Sequence, residues 1–204
     1  MSKLEVDAIE PQSGTTLTIG ASGDSVTLGS GASLTSPGLT LSDNILFNAA
    51  SKGIYLGVTT ATASNLLDDY EEGTFTPTYT TSGTDFTSVT YSYQIGKYTK
   101  IGDICYVEGR LRTDAITKGS ASGNVLIGGL PFNCEATEST FNVNYAKDFL
   151  GDNPLSGLSR ASNSQFFLYY RTTANGGASP LQVSDMGTGG SDNAAYFSGV
   201  YKVD

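Results

Sequence analysis

The feature of this sequence that most constrains its fold is the uneven distribution of its aromatic residues. The 204 residues include 12 tyrosines, 9 phenylalanines and no tryptophan, and only Phe47 and Tyr55 precede residue 66. Because aromatic side chains carry much of the area that a core buries, a packed core requires the segment that contains them. We therefore expect one domain after residue 66 and a thinner segment before it.

The thin segment contains a repeated phrase. Three copies begin at Ser13, Ser22 and Ser30, and each starts with Ser-Gly and ends with Leu-Thr or Val-Thr. Alternation of an aliphatic residue with Thr places the aliphatic groups on one face of a strand. A strand this short buries too little surface to offset its conformational entropy, so it requires stacking or the winding together of several chains. The pattern predicts a repetitive, intertwined β stalk over residues 13–65, and a Ser/Gly/Thr linker is the alternative.

Residues 1–12 form a short amphipathic segment ahead of the repeats. Leu4 and Val6 alternate with acidic residues before Pro11 ends the run. A single strand of this kind needs another strand or a sheet edge to pair with. We interpret it as an attachment arm, with Leu4, Val6 and Ile9 as its candidate contacts.

Residues 66–77 form an acidic joint between the two segments. The joint contains Asp68, Asp69, Glu71 and Glu72. Carboxylates are calcium ligands, but the joint lacks the alternating Asp/Asn pattern and the Gly of a calcium loop. We predict a solvated collar without a metal, anchored by Tyr70 and Phe75.

Residues 78–204 have the alternation of β-strands throughout. A hairpin is predicted over residues 87–112, with its turn at Ile101-Gly102-Asp103. Cys105, Val107 and Leu111 share one face of the return strand and should be core. Further strands are predicted at 124–132, 140–146, 165–172, 181–183 and 194–203, and residues 149–164 are predicted to be an excursion without strands. Many short strands without a convincing helix predict an all-β head that is a jelly-roll-like β-sandwich.

Composition argues against several functional classes. The net charge of −9 and the pI of about 4.3 disfavour nucleic acid and membrane surfaces as partners. No apolar run approaches the roughly 20 residues that a membrane-spanning helix needs, and no signal peptide is evident. The chain has no histidine, the commonest general base and metal ligand, so we predict no catalytic residue and no cofactor. Of its two cysteines, Cys105 is predicted to be a buried free thiol.

An ordered series of phrases resembles a known family. The phrases Leu4-Glu5-Val6-Asp7-Ala8-Ile9, Leu67-Asp68-Asp69-Tyr70-Glu71-Glu72-Gly73-Thr74-Phe75-Thr76-Pro77, Gly96-Lys97-Tyr98-Thr99-Lys100-Ile101-Gly102-Asp103 and Gly129-Leu130-Pro131-Phe132 occur in this order. They resemble short tail-fibre and other virion-surface proteins of tailed phages, especially marine ones. The resemblance implies a homotrimeric virion protein that docks on the particle by its N-terminus and turns its head outward.

These observations favour a non-enzymatic phage fibre that contacts a glycan or protein of the host surface. Tyr169, Tyr170 and Arg171 are the candidate receptor contacts, because interfaces favour Tyr and Arg. The alternatives are a capsid spike or decoration protein with a purely structural role and a carbohydrate-active tailspike. Each would be a virion component with other virion proteins, of the tail or the capsid, as its partners.

Overall fold

The computed structural model of the chain describes residues 27, 28, 38, 40, 44–49, 51–173 and 175–204. The chain divides into two compact units, Met1–Leu46 and Phe47–Asp204. All strands and helices of the described residues lie in the second unit. The predicted arm, with Leu4, Val6 and Ile9, and most of the predicted stalk lie outside the described residues, so both stay predictions.

The second unit is built almost entirely of β-strands. The strands are β1 (Ile54–Tyr55), β2 (Leu66–Leu67), β3 (Tyr70–Phe75), β4 (Thr78–Thr81), β5 (Ser88–Ile101), β6 (Ile104–Thr117), β7 (Val125–Gly128), β8 (Thr140–Lys147), β9 (Ser156–Ser159), β10 (Gln165–Tyr170), β11 (Ser179–Pro180) and β12 (Ala194–Lys202). Two 3₁₀ helices, Ala63–Asn65 and Val183–Asp185, are the helices of the described residues. None of the described helices is long and apolar enough to cross a membrane.

Ten of the strands form one antiparallel sheet. Its order is β3-β5-β6-β12-β8-β9-β10-β7-β4, and β11 pairs with β10 beside this path. The last strand, β12, lies between β6 and β8, so the end of the chain completes the middle of the sheet. Strands β1 and β2 form a separate two-stranded sheet.

The sheet curls strongly, because its two edge strands are joined by only two residues. Strand β3 ends at Phe75 and β4 begins at Thr78, although the two strands stand at opposite ends of the strand order. Since consecutive Cα atoms are about 3.8 Å apart, Thr76 and Pro77 cannot span an open ten-stranded sheet. Contacts between the two ends agree: the Tyr79 backbone N–H of β4 donates to the Tyr91 hydroxyl of β5 over 2.7 Å.

Aromatic rings on the inner face form the core. Phe166 stacks on Phe141 at 4.2 Å between ring centroids and meets Phe197 edge-on at 5.1 Å. The Phe197 ring lies directly over Gly109 of the neighbouring strand, so closely that a Cβ there would be 2.5 Å from the ring. Glycine at this strand position thus lets a bulky ring lie flat on the sheet.

A buried asparagine closes the loop between Val183–Asp185 and β12. The Asn193 amide accepts a hydrogen bond from the Gly187 N–H at 2.7 Å and donates to the Gly187 carbonyl and the Thr113 hydroxyl, each at 2.8 Å. Its backbone carbonyl accepts a bond from the Tyr79 hydroxyl at 2.7 Å. The side chain is fully buried and its φ is +52°. Asn193 therefore fastens the Gly-rich loop to β6 and to β4.

The structure confirms some of the sequence predictions and differs from others. The all-β class is confirmed, as are the hairpin with its turn at Gly102 and Asp103 and the burial of Cys105, Val107 and Leu111. Cys105 is a free thiol, as predicted, and so is the buried Cys134. The arrangement differs from the predicted two-sheet sandwich, because the strands belong to one continuous curled sheet.

Two local predictions are wrong. Residues 149–164 contain strand β9, which pairs with β8 and β10. Its Gly157 is required because the Phe166 ring occupies the space that a side chain would fill, with a Cβ distance of 2.4 Å. Residues 181–183 do not form a strand: Gln182 makes an isolated bridge to Asn124, and a 3₁₀ helix begins at Val183.

Candidate functional site

The outer face of the sheet, turned away from the core, carries the most distinctive surface of the described residues. Alternation along β5 and β6 turns Lys97, Glu108 and Arg110 outward, while Cys105 and Val107 point into the core. The register places Glu108 directly opposite Lys97 on one side and Ser198 on the other. Side chains from three neighbouring strands therefore form rows across this face.

A second row contains an aromatic cluster. Arg110 lies between Ile95 of β5 and Tyr196 of β12, and Tyr196 is followed by Tyr145 of β8. The Tyr145 and Tyr196 rings are 5.0 Å apart between centroids. The rings of this row offer flat apolar surface beside charged groups.

Tyr93 of β5 lies beside this row and contacts two of its side chains. Its hydroxyl lies 3.1 Å from that of Tyr196, and the Arg110 guanidinium lies 5.6 Å from its ring centroid. Burial and the hydrogen bond with Tyr196 raise the pKa of Tyr93 to about 12. The Tyr93 hydroxyl therefore stays protonated at neutral pH, and its hydrogen bond holds the Tyr196 ring in place.

These rows enclose an open groove of about 500 Å³. The groove is lined by side chains of Ile95, Lys97, Tyr106, Glu108, Arg110, Asn144, Tyr196 and Ser198. A second concavity of about 450 Å³ shares Lys97, Tyr106 and Glu108 with it and extends toward Glu72 and Thr74 of β3. We call the first concavity the outer groove.

The charges of the outer groove differ in their partners. Glu108 accepts a long hydrogen bond, 3.5 Å, from the Tyr106 hydroxyl. Among the described residues, neither Lys97 nor Arg110 forms an ion pair, although the protein as a whole carries a net charge of −9. Two cations and one anion thus give the groove a local positive excess that is opposite in sign to the whole chain.

Comparisons with known proteins identify a similar fold. The chain is similar to the Dettilon tailspike protein (gp208), with a TM-score of 0.51 and 22% sequence identity over 66% of this chain and 24% of that one. The chain thus spans about a quarter of the length of that tailspike, and at this identity the likeness concerns the fold. A scan against protein-family models finds no match, and neither does a search of curated proteins.

The predicted receptor contacts lie elsewhere in the sheet. Tyr169 and Tyr170 end β10 and are half-buried, and Arg171 directly after them is exposed. Tyr170 packs against the core, whereas Tyr169 pairs with Ser156 and Pro180 of the neighbouring strands. These three residues do not line the outer groove, and their role in receptor contact stays a prediction.

The acidic joint is part of the head's sheet. Tyr70–Phe75 is the edge strand β3, paired with β5 along its whole length. Asp69 forms an ion pair with Lys100, and the Glu71 carboxylate accepts a hydrogen bond from the Tyr98 hydroxyl, which raises the pKa of Tyr98. Within the part of the chain that the structure describes, no group of three or more His, Cys, Asp or Glu residues is arranged to hold a metal.

The two predicted anchors of the joint behave differently. Phe75 packs against the core with its ring 6.4 Å from that of Phe197. Tyr70 is 59% exposed and donates a hydrogen bond to Glu72 at 3.0 Å, so it does not anchor the strand to this core. It stands instead beside Ile101 and Ile104 on the outer face.

Sequence reasoning did not find the outer groove. The alternation of β6 correctly assigns Tyr106, Glu108 and Arg110 to the surface. Ile95, Asn144 and Tyr196 come from strands far apart in the sequence, and only the order β5-β6-β12-β8 brings them together. The signal available in the sequence was that the polar faces of these strands include aromatic side chains.

Proposed function

We propose that the chain is a phage virion fibre protein, docked on the particle by its N-terminal arm and presenting its β head to the host surface. The observation that carries the proposal is the likeness in fold to a tailspike protein. The ordered phrases that resemble phage fibre proteins support it independently, because they lie in the sequence itself. The outer groove gives the head a surface suited to adhesion.

The location on the particle is testable with the N-terminus. Gold label attached to a tag at Met1, on virions of the phage that encodes this chain, should appear at the tail in electron micrographs. Label at the capsomers would replace this proposal by that of a capsid spike or decoration protein.

We propose further that the protein is a homotrimer. A patch of exposed apolar side chains supports this, formed by Tyr70, Ile101, Ile104 and Val200, which are 42–59% exposed. The first three stand side by side across β3, β5 and β6, at the residue where β3 begins. Exposed apolar patches of this kind mark sites of association. Light scattering should give three times the 21.3 kDa mass of the chain, and a monomer at micromolar concentration would contradict it.

We propose that the head binds without catalysing a reaction. Glycoside hydrolysis ordinarily requires two carboxyl groups that flank the bond. Glu108 is the one acidic residue among the described residues that line the outer groove. Release of reducing sugar from host glycan by the purified protein would contradict this proposal and favour a carbohydrate-active tailspike.

A further inference from the structure

We propose that the outer groove binds an anionic saccharide, a sugar chain with carboxylate or phosphate groups, an inference that rests on the proposed adhesive function of the head. Lys97 and Arg110 would meet the anionic group, and the aromatic row would meet the sugar ring. The other polar side chains of the groove would meet the hydroxyls.

The charged side chains of the outer groove favour an anionic ligand. Lys97 and Arg110 are exposed and without an ion-pair partner among the described residues, and Glu108 alone opposes them within the groove. Arg presents a planar fork of donors that matches a carboxylate or phosphate. The net charge of −9 does not forbid this, because at physiological ionic strength screening limits the reach of distant charges to about 8 Å. A ligand in the groove therefore responds mainly to these three groups and to Glu72, which lines the neighbouring concavity beside Lys97.

The aromatic and uncharged polar side chains that line the outer groove favour a sugar as the ligand. Tyr106 is 43% exposed, and the Tyr196 ring, held by the hydrogen bond to Tyr93, is half-buried. Flat rings give a pyranose an apolar surface, while Asn144 and Ser198 supply an amide and a hydroxyl that can both donate and accept. Mixed aromatic and polar lining of an open groove suits a ligand that alternates apolar faces with hydroxyls.

An acidic peptide is the competing ligand, and the floor of the groove disfavours it. Extended peptides commonly bind by adding a strand to a free sheet edge. The floor is made of β5, β6 and β12. Strands β6 and β12 pair with a neighbour on both sides, and β5 pairs with β6 and, from Gly96 to Ile101, also with β3. Along most of its floor the groove thus offers side chains and no free row of backbone groups.

Titration calorimetry of the full chain with defined ligands tests the inference. The ligands are a galacturonic acid hexasaccharide, a phosphorylated mannose oligosaccharide, neutral maltohexaose and hexaglutamate. We expect binding of the carboxylate or the phosphate saccharide, which identifies the anionic group. Arg110→Gln and Lys97→Gln should each weaken binding about 10–100-fold, as loss of a charge-assisted contact does.

Arg160→Gln is the matched control, because Arg160 is an exposed arginine outside the groove and outside the predicted receptor contacts. It should leave the affinity unchanged, and all three variants should keep the thermal unfolding midpoint of the parent. Equal binding of maltohexaose, equal binding of hexaglutamate, absence of binding by both anionic saccharides, or weakening by Arg160→Gln alone would each overturn the inference. Binding of the labelled full chain to host cells is measured in parallel: cell binding that Arg110→Gln leaves intact refutes the groove, whereas absence of cell binding refutes the adhesive function itself.

Discussion

Replacement of Asn193 should be among the most damaging single changes in the head. Its side chain makes three hydrogen bonds of 2.7–2.8 Å, all inside the protein. In Asn193→Gly the N–H and the carbonyl of buried Gly187 lose their partner, whereas the Thr113 hydroxyl still donates to the Asp192 carbonyl at 3.0 Å. Two unsatisfied buried groups cost about 1–3 kcal/mol each.

The backbone conformation of Asn193 adds a second contribution to the change in the free energy of unfolding, which can be measured separately. Asn193 has a φ of +52°, which glycine adopts without penalty and alanine does not. Asn193→Ala should therefore cost about 1–2 kcal/mol more than Asn193→Gly. The total for the glycine variant, on the order of 2–6 kcal/mol, corresponds to a fall in melting temperature of roughly 4–24 °C for a chain of this size.

Urea unfolding followed by circular dichroism measures both terms. Ser191→Gly is the control, since Ser191 also has a positive φ, of +70°, but is exposed. It should be neutral or slightly stabilising. A change of less than about 0.5 kcal/mol in Asn193→Gly, the ordinary range for surface substitutions, would refute the assignment of Asn193 as the fastening of this loop.

Three further predictions follow from the core, the tyrosines and the apolar patch. Gly109→Ala should cost about 1–3 kcal/mol, because its Cβ would meet the Phe197 ring, whereas Gly177→Ala in open space should be neutral in the same urea titration. Burial raises the pKa of Tyr91 to about 12, whereas a free tyrosine has a pKa of about 10. The free energy of unfolding should therefore stay constant below pH 10 and fall between pH 10 and about pH 12. A Tyr91→Phe variant whose free energy of unfolding falls equally steeply with pH would contradict this. Ile104→Glu should convert the proposed trimer to monomer in light scattering, and an unchanged mass would show that the apolar patch is not the interface.

The local parts of the fold could be predicted from the sequence. Alternation and a two-residue turn identify the β5–β6 hairpin, because these features depend on neighbours in the chain. The order of the strands depends on contacts between distant segments: β12 inserts between β6 and β8, and nothing in its own residues names those partners. The outer groove could not be predicted for the same reason, because its residues are brought together only by the order of the strands.

The prediction of an excursion over residues 149–164 is wrong because Gly157 belongs to a strand. The residues of β9, Ser156 to Ser159, have the composition of a loop, yet Gly157 is there because the Phe166 ring covers the strand. The curl of the sheet was likewise hidden, although its cause is the short connection through Thr76 and Pro77. Once both edge strands are known, that connection requires the sheet to bend back on itself.

Adsorption inhibition tests the central claim most directly. Host cells are incubated with an excess of the purified full chain, and adsorption of the phage that encodes it is then timed. Occupied receptors should slow adsorption strongly. Arg110→Gln should inhibit far less than the parent, and Arg160→Gln should inhibit as well as the parent. Adsorption at the normal rate on cells saturated with the parent protein would contradict the account.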